Sequence, residues 1–68
     1  NSEIVKDEFD KIVEKFAIME AMLEELDDSG DLDKKIAQYA LEHSEKIENM
    51  KKSLYIEFTG NIVMRLDS

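Results

Sequence analysis

Sixty-eight residues allow one small domain, and the usual staples are missing: with no cysteine there is no disulfide and no thiolate metal or redox site. A chain of this size buries only about 60% of the surface it exposes when unfolded, which leaves close helix packing or association with another chain as sources of stability. The formal charge of −8 is the wrong sign for nucleic-acid phosphates or an anionic membrane, and no apolar run approaches the ~18 residues that span a bilayer.

The first segment carries the clearest signal. Val5, Phe9, Ile12, Phe16, Met19, Leu23 and Leu26 are spaced 4, 3, 4, 3, 4, 3, and only a helix puts such a series on one stripe. Ser2 is placed as N-cap and Glu3 suits the positive end of the dipole, so a helix is predicted over 3–27. Between Phe16 and Leu23 only Glu20 is polar, and Ile18 and Ala21 lie off the seam. A helix apolar nearly all round has more than one neighbour. The acidic charge is concentrated here: residues 1–28 hold ten carboxylates against Lys6, Lys11 and Lys15, a net −7, and the remainder comes to −1. Such a charge suits a basic protein partner, but the plainer reading is that an acidic helix stays soluble. Asn1 in place of Met, ahead of an immediate helical pattern, reads as a fragment of a longer chain. The absence of cysteine is compatible with a cytoplasmic setting.

Asp27-Asp28-Ser29-Gly30-Asp31 interrupts the pattern and predicts a turn over 27–31, with Gly30 closing the first helix and Asp31 capping the second. Leu32, Ile36, Ala40, His43, Ile47, Met50 and Leu54 then form a second stripe, giving a helix over 31–58. Folding the two about Ser29 pairs Leu23 with Ile36, Phe16 with His43 and Val5 with Leu54. Beyond Leu54 the pattern is ambiguous. Thr59-Gly60-Asn61 between two apolar runs suits a β-hairpin, whereas Leu54, Phe58, Ile62 and Leu66 keep a helical period. A short third element, helix or hairpin, is therefore expected over 61–67.

The expected fold is all-α: an antiparallel two-helix hairpin with a short third element, assembling with coiled-coil packing into a helical bundle. The second helix outruns the first in this register, which leaves Phe58, Ile62, Val63 and Leu66 without partners. With Ile18 and Met22 they are the predicted partner-binding residues, and a homodimer is the expected assembly.

Sites for chemistry are sparse. His43-Ser44-Glu45-Lys46 resembles the His-x-x-Lys of phosphotransfer helices, which implies a dimerising phosphohistidine hairpin. Here no acid directly follows the histidine, Ile47 stands where a small residue is needed, and the seam turns His43 inward. A carboxylate di-metal site needs Glu-x-x-His, but position 40 is Ala. The acidic turn imitates a calcium loop, yet Ile36 occupies the place of its bidentate Glu. No serine has an activating neighbour, and two glycines thirty residues apart make no phosphate loop. Enzyme activity and a cofactor are not expected. The expected function is a protein–protein interaction or oligomerisation module, acting as adaptor, chaperone-like or regulatory subunit. The alternatives are the phosphohistidine hairpin and an acidic inhibitor that occupies a basic site.

Overall fold

The computed structural model describes residues 2–67. Three helices make up the fold, α1 (Ser2–Leu26), α2 (Leu32–Glu42) and α3 (Ser44–Leu66), with no strand among the described residues. The all-α class is as the periodicity predicts. α1 extends for about 37 Å at 1.5 Å per residue. Ser2 is its first helical residue, not its cap.

The turn after α1 is held by side chains. The Ser29 N–H donates to Asp27 Oδ1 (3.1 Å), and the Asp31 N–H donates to Ser29 Oγ (3.2 Å). Lys35 Nζ in α2 reaches back to Asp27 Oδ2 at 2.6 Å, tying the first turn of α2 to the end of α1. Gly30 has φ +85, a left-handed conformation that a Cβ disfavours. Asp31 is the N-cap residue of α2, but its side chain makes no cap hydrogen bond; the nearby bonds come from Asp27 and Ser29 instead.

The second break lies at His43, where the sequence reading runs one helix through to residue 58. His43 has φ −126 and ψ 38, so α2 ends and α3 begins around it. Its own N–H and its ring Nδ1 both address the Tyr39 carbonyl, at 2.9 and 3.1 Å, while its carbonyl accepts the Ile47 N–H. A histidine that bonds the last carbonyls of a helix stabilises its C-terminus. The ring also stacks on Tyr39, with centroids 4.0 Å apart. Gly60, by contrast, is taken through without interruption and α3 reaches Leu66, so 54–66 is helix and not hairpin.

Breaking at His43 changes the register. α3 packs against both α1 and α2. Arg65 Nη1 donates to Asp7 Oδ2 at 2.6 Å and to Glu8 Oε2 at 2.7 Å, so the last turns of α3 meet the first turns of α1. The simple hairpin register places Leu54 opposite Val5, and so residues 52 and 51 opposite Asp7 and Glu8; the Arg65 contact replaces it with a register about thirteen residues further along. The end of α3 therefore does not hang free.

Hydrophobic burial inside the chain is slight. Among the described residues no apolar side chain is fully buried, and Glu8 is the one buried residue. The Cα radius of gyration is 15.2 Å, against about 11 Å for a compact domain of this length.

Candidate interaction surface

α1 carries two neighbouring stripes with different fates. Ile4, Glu8, Lys11, Lys15, Ile18 and Met22, spaced 4, 3, 4, 3, 4, form one edge, and its upper end receives α3. At its upper end Ile4 is half-buried and Glu8 is 5% exposed. Glu8 accepts hydrogen bonds from Arg65 and from Lys11 (3.0 Å), and Lys11 lies 3.7 Å from Asp7. The Arg65 hydrogen bond is the main force holding both carboxyls below their usual pKa, with Lys11 adding to it. The hydrogen bonds that Arg65 donates to Glu8 and then to Asp7 raise its guanidinium pKa in turn. The contact between α1 and α3 is thus partly an ion cluster, and burial alone does not account for it.

The apolar seam from Val5 to Leu26 lies on an adjacent face that this contact does not use. Its seven residues are 42–84% exposed. Every residue from Phe9 to Leu26 is exposed, about five turns of helix with no buried face. Helical stability in proteins comes mostly from a packed face, and the chain itself supplies little of one along this stretch.

Of the six partner-binding residues predicted from sequence, Phe58 and Ile62 are half-buried within the chain, on the α3 stripe that also carries Arg65. Ile18 and Met22 are 53% and 58% exposed, in line with Ile4 and Glu8 but beyond the part of α1 that α3 covers. Val63 is exposed on a different face of α3, where Ile56 is exposed too, and Leu66, also exposed, follows Ile62 by one turn at the end of the helix. The six do not form one patch. Sequence reasoning missed the Asp7–Glu8–Arg65 cluster, whose one signal was a cation in the last turn of an otherwise apolar segment.

The exposed surface can be weighed. The chain exposes 6075 Å², whereas a compact monomer of 7.9 kDa exposes about 4,400 Å², an excess of about 1,700 Å². Paired copies that each removed this excess would bury roughly 3,400 Å² together, within the range of obligate homodimers.

Other features offer less chemistry. At the α2–α3 corner, Lys46 Nζ lies 3.3 Å from the Tyr39 hydroxyl and 6.0 Å from the ring centroid. His43 beside it is half-buried with Nδ1 engaged, a poor geometry for a phosphoacceptor on that nitrogen. The α1–α2 corner holds an open acidic cleft of about 350 Å³ lined by Glu20, Glu24, Asp27, Asp28 and Asp33. Lys35 and the Ser29 amide lower Asp27 to a pKa of about 2. Among the described residues no three histidine or carboxylate side chains converge to hold a metal. Nor is any helix of the described residues long and apolar enough to cross a membrane.

Residues 1–67 match the family described as Domain of unknown function (DUF2018), and the chain belongs to that family. No curated protein and no solved structure matches it.

Proposed function

We propose that this member of the DUF2018 family is a protein–protein association module, and that its first partner is a second copy of itself. The observation that supports this reading is the bare stretch of α1 from Phe9 to Leu26, with six members of an unbroken heptad seam in water. Exposed apolar surface on this scale marks an interface. Obligate homodimers commonly lack a stable folded monomer, which fits a chain with no fully buried apolar side chain among its described residues. The acidic bias of α1 adds selectivity by repelling acidic surfaces and favouring neutral or basic ones.

Light scattering on the intact chain, eluted from a sizing column at micromolar concentration, tests the reading. A mass of twice 7.9 kDa is expected. A monomer of full helicity would remove the self-association. A monomer that gained no helicity with any protein co-purified from its source would remove the module reading altogether.

A further inference from the structure

We propose that two copies meet through α1 itself, the seams running antiparallel about a two-fold axis that passes α1 between Ala17 and Ile18. This rests on the association reading above and adds the surface, the occupant and the orientation.

Three observations lead to it. The first is position. The chain's own α3 occupies the Ile4/Glu8 edge at the top of α1, so a second helix can take the seam only below that point. The unbroken run of exposed residues is Phe9 to Leu26, and its midpoint falls between Ala17 and Ile18.

The second is register. In antiparallel coiled coils the two kinds of core position alternate across the pair, and here they are Phe9, Phe16 and Leu23 on one side and Ile12, Met19 and Leu26 on the other. A two-fold at that midpoint levels Phe9 with Leu26 of the second copy, Ile12 with Leu23, and Phe16 with Met19. All six residues are then covered and none overhangs. Val5, the seam residue left out, lies beside the end where α3 already packs.

The third is charge. Glu20, Glu24 and Glu25 fill the second half of α1, where no base follows Lys15 before Lys34. A parallel pair would gather these six carboxylates at one end of the assembly. An antiparallel pair sets the acid-rich half of each α1 level with the half of the other that carries Lys6, Lys11 and Lys15, and spreads the acids to the two ends. Like charges brought together across an interface are what disfavours a wrong orientation.

Because the chain has no cysteine, single spin labels can be placed cleanly. Glu14→Cys and Lys6→Cys sit off the six core positions. At 1.5 Å per residue, their symmetry mates are separated along the helix axis by about 10 Å and about 35 Å in the antiparallel pair. Pulsed dipolar spectroscopy on samples of measured mass should give a markedly longer distance for the Lys6 label. Equal distances would mean a parallel pair and overturn the proposal. A dimeric mass with two long distances would show that the copies meet elsewhere, which sinks the proposal and leaves the association reading standing. A monomeric mass with no dipolar coupling would sink both.

Discussion

Phe16 is 62% exposed in the single chain, so its truncation separates the two accounts of α1. If the chain works alone, Phe16→Ala removes a largely hydrated ring, and surface changes of that kind stay within about ±0.5 kcal/mol. If the seam is covered by a second copy, the remaining exposure is removed on assembly. Full burial of a phenylalanine side chain contributes about 1.5–3 kcal/mol, so the exposed fraction amounts to about 1–2 kcal/mol per chain. Each dimer carries the change twice, giving about 2–4 kcal/mol, a rise of roughly 30- to 1,000-fold in the dissociation constant. Sedimentation velocity across a dilution series reads that constant for the parent and the variant. A dissociation constant unchanged within a factor of about two would refute the assignment of α1 as an interface, whatever the mass of the parent.

The remaining predictions concern the fold. Gly60→Ala should stabilise the protein by about 0.5–1 kcal/mol in a urea melt, because Gly60 is helical and an added Cβ meets no atom within 4 Å. Gly30→Ala should destabilise by more than that, since space is open there but φ is +85. Asp27 has its carboxyl pKa depressed from 3.8 to about 2, so its contribution is complete above the unfolded value. It is lost as pH falls from near 4 to near 2, and Asp27→Asn should remove that part of the acid dependence of the melting temperature. Arg65→Ala should let the Glu8 pKa climb toward its ordinary value, read by carboxyl NMR titration. A Glu8 titration that did not move would show that Lys11, and not Arg65, sets it.

How much was legible in the sequence can be argued residue by residue. The 4-3 spacing from Val5 to Leu26 is visible because a helix is the only element that aligns it, and α1 is present as predicted. Gly30 announced its turn, since a left-handed residue beside acids has few other uses. The His43 break was not legible: neither glycine nor proline marks it, and the bond from its ring to the Tyr39 carbonyl exists only once α2 has formed. The pairing register inherited that error, because a hairpin without a second corner forces Val5 opposite Leu54. Phe58 and Ile62, expected at the partner surface, are half-buried within the chain on the stripe that carries Arg65. The cluster of Arg65 with Asp7 and Glu8 joins residues 57 and 58 apart in sequence, and periodicity within one helix holds no information about such a contact.

The central claim is that folding of this chain is completed by a second copy. The most direct measurement is far-UV circular dichroism of the intact chain, with its mass followed in parallel, over a hundredfold dilution through the dissociation constant. Linked folding and association predict that helicity falls as the dimer dissociates, with α1 fraying between Phe9 and Leu26 where every residue is exposed within the single chain. Undiminished helicity in a monomer at the lowest concentration would contradict it.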